Sequence, residues 1–354
     1  MCYIDMKKYG LSEAMYQEAT QYQGLYIGRV LSQSKGIYRI VCEKGEFFAE
    51  ISGKCRFQVS NRRDYPAVGD FVMLDRNSGI NGNAIIQHVL TRKSAFVRKA
   101  AGKAGDEQII AANIDTLFIC MSVNNDFNLR RLERYMALAW TSGSTPVVVL
   151  TKVDLCDDLC SKFKAVDSAA PGVDILGIST IVNEGYEDIM AYFSYGKTVA
   201  LLGSSGVGKS TLINWISGTK ILDTQGIRND DKGRHTTTRR ELILLPTDGM
   251  IIDTPGMREL GMWDAETGID RTFNDVEYYI GKCRFHDCTH TTEPGCAIYE
   301  AIKDGTLSEK RWQSYLKLKT EARYIDNSIE YMKQKTEKFK NISKINKTNK
   351  RNNF

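Results

Sequence analysis

No run of apolar residues in this chain approaches the length needed to cross a bilayer. The opening Met1-Cys-Tyr-Ile-Asp-Met-Lys-Lys lacks the basic, apolar and small-residue regions of a secretory leader. Nine cysteines, scattered and odd in number, do not make a disulfide framework in a chain this large. A helical membrane protein and a disulfide-stapled module are therefore not expected; the cytoplasm is, with no membrane partner. What remains is globular material: 354 residues, 42% hydrophobic and 26% charged, enough for a sizeable core and two to three domains. The net charge of +5 is unevenly spread, because eight basic residues between Lys333 and Phe354 face Glu337 alone. That tail carries +7 and leaves −2 for everything ahead of it. Poor in apolar residues, it is expected to be disordered and either to meet RNA phosphates or simply to be solvated.

The strongest signal is Gly203-Ser204-Ser205-Gly206-Val207-Gly208-Lys209-Ser210-Thr211, which fits the phosphate-loop pattern G-x-x-x-x-G-K-[ST]. It follows the strand-like run Thr198–Leu202 and opens the helix-like run Leu212-Ile-Asn-Trp215. Glycines let backbone amides turn inward around phosphate oxygens, and a helix N-terminus adds partial positive charge. Lys209 would reach the β- and γ-phosphates, and the Ser210 hydroxyl would ligate Mg²⁺.

Upstream, the run Pro146–Leu150 ends in Thr151-Lys152-Val153-Asp154, an N/T-K-x-D element. Its carboxylate would accept two hydrogen bonds from guanine, whereas adenine offers no such donor pair and would leave it unpaired. Downstream, Met250-Ile-Ile-Asp253 runs into Thr254-Pro-Gly256. Asp253 would hold Mg²⁺ through water, and the Gly256 amide would face the γ-phosphate. Between them, Gly233-Arg-His235-Thr-Thr237-Thr238 is polar and supplies the threonine, Thr237, that closes over Mg²⁺. Ser179 and Thr180 follow another strand-like run, 173–178, and either present an amide to guanine O6 or form an ordinary strand-to-loop junction. The ligands expected are GTP and GDP with Mg²⁺.

The motif order is rotated: the base-reading elements precede the phosphate loop. Cutting a six-stranded GTPase sheet after its third strand and rejoining the old ends through 181–197 produces this order. Such permutation is tolerable because the termini of an α/β domain lie close together. Five short strand-like runs between Gly24 and His88 punctuated by glycines fit a small barrel of the OB type. Lys54, Arg56, Arg62 and Arg63 around Phe57, and Arg92, Lys93, Arg98 and Lys99 around Phe96, suit a nucleic-acid surface or a solvated barrel edge. Cys283, Cys288, His290 and Cys296 fall within fourteen residues and complete a closed tetrahedral Zn²⁺ shell, hence a structural one. His286 offers a competing nitrogen. Two helices should follow, the second over 309–332 with Ser308 as cap and Trp312, Tyr315, Leu316 and Leu318 on one face.

From about Gly24 to about Arg323 the chain resembles the ribosome small-subunit-dependent GTPase A family. The likeness rests on the permuted order, G-R-H-T-T-T at 233–238, D-T-P-G at 253–256 and C-x4-C-x-H-x5-C at 283–296. It implies an α/β, circularly permuted P-loop GTPase domain between an N-terminal OB-type barrel and a C-terminal zinc-binding, mainly helical domain. The expected division is 1–23 extension, 24–102 barrel, 103–262 GTPase, 263–332 zinc domain and 333–354 basic tail. The resemblance further implies a monomer that acts late in 30S maturation, binds its rRNA, hydrolyses GTP under stimulation by the subunit, and then leaves. Two positions depart from common GTPases. Thr151 replaces an asparagine that braces the phosphate loop, so that brace is expected to be missing. Met257 stands where a water-orienting glutamine is usual; in the family His235 is the proposed substitute, and the alternative is that His235 only touches rRNA. A GTPase of the 50S subunit, and an RNA-binding module with structural nucleotide, are the competing readings.

Overall fold

The computed structural model describes residues 3–53, 62–80, 82–99, 107–124, 126–219, 240–253, 265–291 and 293–325. Five strands come first: β1 (Tyr26–Ser34), β2 (Ile37–Cys42), β3 (Gly45–Ile51), β4 (Phe71–Leu74) and β5 (Ala84–Val89). They pair in the order β1-β2-β3-β5-β4, and a β1–β4 pairing closes the ring. This is the five-stranded Greek-key barrel expected from the glycine-punctuated runs. Strand β3 displays the two-residue period of a half-buried strand: Phe47, Ala49 and Ile51 are buried while Glu46 and Phe48 face out. At Gly28 the ring is pinched, since a Cβ there would lie 2.5 Å from Ile40 and 2.8 Å from Leu74.

The segment ahead of the barrel is built into it. Helix α1 (Glu13–Thr20) is capped by Ser12, whose hydroxyl accepts from the Met15 amide. Met6, Met15 and Ala19 are buried with Phe71, Met73 and Leu90 of the barrel.

A hairpin of β6 (Ala95–Lys99) and β7 (Glu107–Ala112) leads into six further strands. These are β8 (Thr116–Ser122), β9 (Thr145–Thr151), β10 (Ile175–Ile178), β11 (Thr198–Leu202), β12 (Glu241–Leu244) and β13 (Met250–Asp253). Their spatial order is β10-β9-β8-β11-β13-β12; the first five run parallel and β12 antiparallel to β13. All five residues of β11 and six of the seven in β8 and in β9 are buried, as a sheet covered on both faces demands. Helices α2 (Leu129–Ser142), α3 (Leu159–Ala169), α4 (Tyr186–Met190) and α5 (Lys209–Ser217) supply that cover. Asn128 and Asp158 cap α2 and α3 by accepting from the amides of Arg131 and Ser161.

Barrel and α/β sheet are continuous. Ser32 of β1 pairs with Glu241 of β12, giving an eleven-stranded sheet, and Arg39 forms an ion pair with the Glu241 carboxylate. Behind this joint lies Arg29, 1% exposed. Its guanidinium donates to the carbonyls of Tyr9, Gly69 (3.1 Å) and Asn113 (3.2 Å) and to the Thr198 hydroxyl at 3.0 Å. One buried cation thus ties N-terminal segment, barrel, connecting hairpin and β11. Burial drags its pKa down to about 10, so it stays charged at neutral pH.

Helices α6 (Glu266–Thr272), α7 (Asn274–Ile280), α8 (Ala297–Lys303) and α9 (309–325) complete the described chain. Ser308 caps α9 as expected, accepting from the Arg311 amide at 3.1 Å. Trp312, Tyr315, Leu318 and Ala322 are buried. Leu316 is not, being 38% exposed, because one position past Tyr315 turns the side chain roughly 100° away from that face. Arg311, 6% exposed, reaches Glu133 of α2 at 2.9 Å, Asp275 at 2.9 Å and the Thr272 carbonyl at 2.7 Å, so the C-terminal helices are bolted to α2. Among the described residues no helix is long and apolar enough to cross a membrane.

Candidate functional site

The carboxyl ends of the five parallel strands share one edge of the sheet, where open α/β folds bind ligands. The phosphate loop leaves β11 there. Gly203 at φ +156° packs so tightly on β8 that a Cβ would stand 2.4 Å from the Cys120 carbonyl. Gly206 and Gly208, at φ +77° and +97°, make the left-handed turns that aim backbone amides inward before α5 begins. Lys209 Nζ donates to the carbonyls of Gly203 at 2.7 Å and Ser204 at 2.6 Å, folding the side chain over its own loop. Ser205 is exposed, as are Ser210 and Thr211 in the first turn of α5; Val207 is buried and anchors the loop.

The base-reading element meets that loop directly. Thr151, last residue of β9 and 4% exposed, donates its hydroxyl to the Val207 carbonyl at 2.7 Å. This corrects the expectation drawn from its replacing an asparagine: the shorter hydroxyl still braces the phosphate loop, because β9 brings its backbone close enough. Lys152, held in the left-handed region at φ +60°, donates to the Gly206 carbonyl at 2.8 Å. Asp154 follows in a single 3-10 turn, Val153–Leu155, with its carboxylate exposed at the same rim.

Ser179, just after β10, is fully buried, and its hydroxyl accepts from the amides of Ile181 and Val182 at 3.3 Å each. Its backbone pairs both ways with Glu184, closing a tight loop that leaves Thr180 half-buried. The loop is tied to the phosphate-loop helix by Trp215, whose indole N–H donates to the Asn183 side chain at 3.0 Å. On the other side Asp253 ends β13; burial raises its carboxyl above the ordinary range while the nearby Lys209 ammonium opposes that rise. Its hard oxygen and the Ser210 hydroxyl are a donor set that fits Mg²⁺. His235, Thr237 and Gly256 lie outside the described residues.

One residue near the phosphates carries no motif. Asp126, in the loop after β8, accepts a hydrogen bond from the Ser204 hydroxyl and is paired with Arg131 of α2 at 2.8 Å. The signal for it was positional only: it follows the strand beside β11 at the carboxyl edge.

Part of the basic surface expected after the barrel is spent internally. Arg92 pairs with buried Asp70 at 2.7 Å and donates to the carbonyls of Arg63 and Tyr65. Lys93 pairs with Asp115, and Phe96 is 2% exposed. A guanidinium consumed by a buried carboxylate cannot track a polynucleotide, so Arg92 is structural, as is the buried Phe96; Lys93 stays exposed beside Asp115. Lys54, Arg56 and Phe57 lie outside the described residues, and so does the basic tail.

Between α7 and α8 the ligand atoms of Cys283, Cys288, His290 and Cys296 all lie within 4.8 Å of one another. A tetrahedron with metal–sulfur bonds of about 2.3 Å has edges of about 3.8 Å, so the donor set fits one Zn²⁺. His290 Nδ1 is 3.3 Å from Cys283 Sγ and 3.7 Å from Cys296 Sγ, with the residue at φ +60° and its ring set edge-on to Trp312. His286 is not in the cluster. Desolvation first, then the neighbouring thiols, pushes Cys288 up to about 11, a crowding that a cation relieves. The loop is knotted by Glu293, first residue of the E-P-G-C run at 293–296 that also carries the family likeness but to which the sequence alone assigns no role. Its carboxylate accepts from the amides of Thr289 and Thr291, at 2.9 Å each, and from the Thr289 hydroxyl.

Comparison with known proteins agrees with this arrangement. The family model described as RsgA GTPase matches residues 89–263. The small ribosomal subunit biogenesis GTPase RsgA 2 of Lactiplantibacillus plantarum is 46% identical over 91% of this chain and 90% of its own. RsgA 1 of Oceanobacillus iheyensis, with the same description, is 45% identical over 95% of this chain and 97% of its own. Among solved structures, YjeQ from Thermotoga maritima superposes with a TM-score of 0.62 at 26% identity, over 83% of this chain and 97% of that one. YloQ, titled a circularly permuted GTPase, gives 0.58 at 24% identity over 85% and 96%, a likeness of fold. With the rotated strand order, the phosphate loop and the Cys₃His cluster in place, the chain belongs to the RsgA GTPase family.

Proposed function

We propose that this protein hydrolyses GTP in the biogenesis of the small ribosomal subunit, with rRNA of that subunit as its partner. The observation that carries the reading is the double tie between Thr151-Lys152 and the carbonyls of Val207 and Gly206. It supports a reading in which Asp154 and the phosphate loop serve the two ends of one guanine nucleotide despite their rotated order. Relatives named for the small subunit favour it over the 50S subunit, and a family of GTPases disfavours a module with merely structural nucleotide.

In this reading Asp154 selects guanine, Ser179 and Thr180 present an amide to its O6, and Gly203 to Thr211 enclose the phosphates. Lys209 leaves the Gly203 and Ser204 carbonyls to meet the β- and γ-phosphates; the loop is pre-shaped around the ammonium it exchanges for phosphate contacts. Magnesium, when bound, would offset charge on those phosphates, with Ser210, Asp253 and Thr237 as the side chains offered to it. Gly256 faces the γ-phosphate, and His235 either orients water or touches rRNA. Met257, being apolar, cannot orient water, so intrinsic turnover is slow and a partner must complete the site. Cys283, Cys288, His290 and Cys296 hold a structural zinc. The domains are those drawn from the sequence, with the 102/103 boundary falling between the two strands of the β6–β7 hairpin.

Loss of the γ-phosphate would free the segment after Asp253, which leads directly into the zinc-bearing helices, and so loosen the grip on RNA. The test is GTP turnover with and without purified small subunits. Stimulation of tenfold or more is expected; turnover unchanged by small subunits but raised by large ones would overturn the reading.

A further inference from the structure

Helix α2 of the nucleotide-binding unit and helix α9 of the zinc-bearing unit enclose a groove of about 300 Å³. Four of its lining side chains are cationic, Arg130, Arg131, Arg134 and Lys317, and two are acidic. Both acids are already engaged. Glu133 is 5% exposed and held by Arg311, and Glu321 is paired with Arg134 at 2.7 Å. Arg131 is committed to Asp126. Arg130 and Lys317 are exposed, face the groove from opposite helices, and form no ion pair among the described residues. The chain ahead of Lys333 carries a net −2, so a concave site with two excess positive charges is not a sample of its average surface. Nor is it soft: the buried Arg311 contacts lock the two walls together, and the edge-on contact of Trp312 with His290 fixes α9 to the metal-ligand loop.

Planar guanidinium groups beside an ammonium in a rigid cleft suit a tetrahedral oxyanion better than a flat or apolar ligand. We propose that this groove is a phosphodiester site, in which Arg130 and Lys317 clamp one RNA backbone segment between the GTPase and zinc-bearing units. The proposal rests on the reading of the protein as a ribosomal-subunit GTPase, since that reading supplies the RNA. Neither residue belongs to the nucleotide or zinc site, and the strongly basic run of the sequence begins only sixteen residues after Lys317. RNA held here would therefore span the joint across which nucleotide state has to be communicated.

The test uses the full chain with Arg130→Glu and Lys317→Glu combined. Binding to purified small ribosomal subunits, and to the rRNA stripped from them, is titrated between about 50 and 200 mM salt. Unstimulated GTP turnover checks that the fold and nucleotide site persist. The expected result is a loss of affinity of about tenfold or more on both probes, with the log–log salt slope shallower by roughly 1.5 to 2. The exchanged pair Arg130→Lys with Lys317→Arg should bind like the wild type. Wild-type affinity and slope in the charge-reversed protein would overturn the proposal. So would a loss confined to intact subunits, because that result hands the groove to an acidic protein. Should wild-type protein ignore small subunits altogether, the ribosomal reading falls, while the stripped-RNA arm still decides the groove.

Discussion

The Thr151 hydroxyl is the buried one of two side-chain ties to the phosphate loop, and its removal should be felt at the phosphates more than in the fold. Thr151→Val keeps the shape and deletes the donor, leaving the Val207 carbonyl buried without its partner. A cost of about 1 kcal/mol, or roughly fivefold in GTP affinity, is expected; Thr151→Asn, with a longer amide donor, should recover most of it in a nucleotide titration. Asp154→Asn should move preference from guanine toward xanthine nucleotides, since the new amide donates to xanthine's carbonyl where the carboxylate had accepted from guanine; undiminished GTP selectivity in a competition assay would remove Asp154 from its role. At the metal-ligand cluster, Glu293→Ala frees the threonine amides and hydroxyls that shape the loop without touching a ligand. About one zinc per chain is expected, and the substitution should weaken its retention against a chelator by about 10- to 100-fold. The motif residues were readable because their chemistry demands a fixed spacing. Thr151's brace, Asp126 and the role of Glu293 within its E-P-G-C run were not, because each acts on a neighbour that only folding supplies. Arg92 and Phe96 misled for the converse reason: composition cannot tell a guanidinium facing solvent from one consumed by buried Asp70.

At the scale of elements, the strands and their rotated order were legible from apolar runs and the loops between them, and so was the closed five-stranded ring. What periodicity could not give was the attachment of one element to another. Helix α9 reads as an amphipathic helix that packs locally, yet Arg311 carries it across to α2 and to the end of α3 through Glu133 and the Ala169 carbonyl. A buried ion pair is costly to break from one side and cheap to replace as a whole. Arg311→Met alone should therefore destabilise by about 3–5 kcal/mol, whereas Arg311→Met with Glu133→Leu should recover a large part of that. Denaturant unfolding of the two variants, followed by the fluorescence of Trp312 and Trp140, measures the difference; equal losses would show that packing rather than charge governs the joint.

On the scale of the whole molecule, barrel and nucleotide-binding sheet are one continuous surface of hydrogen bonds, with Arg29 behind the seam and Arg39 in front of it. The order of residues 3–23 could not be judged from composition, since a short helix with few apolar residues reads as a loose end. It is held because Met6 and Met15 fill a hollow over Phe71 and Met73 that no local pattern announces.

The seam has a mechanical corollary. Glu241, which the barrel grasps through Ser32 and Arg39, stands three residues after Thr238 in sequence. A torque applied to the barrel from outside would be delivered, through one rung of the ladder, to β12, the strand that follows His235 and Thr237 in sequence. The rotated motif order gives the two flanking units separate handles: the barrel grips β12, which follows G-R-H-T-T-T in sequence, and the C-terminal helices come after β13, whose last residue opens D-T-P-G.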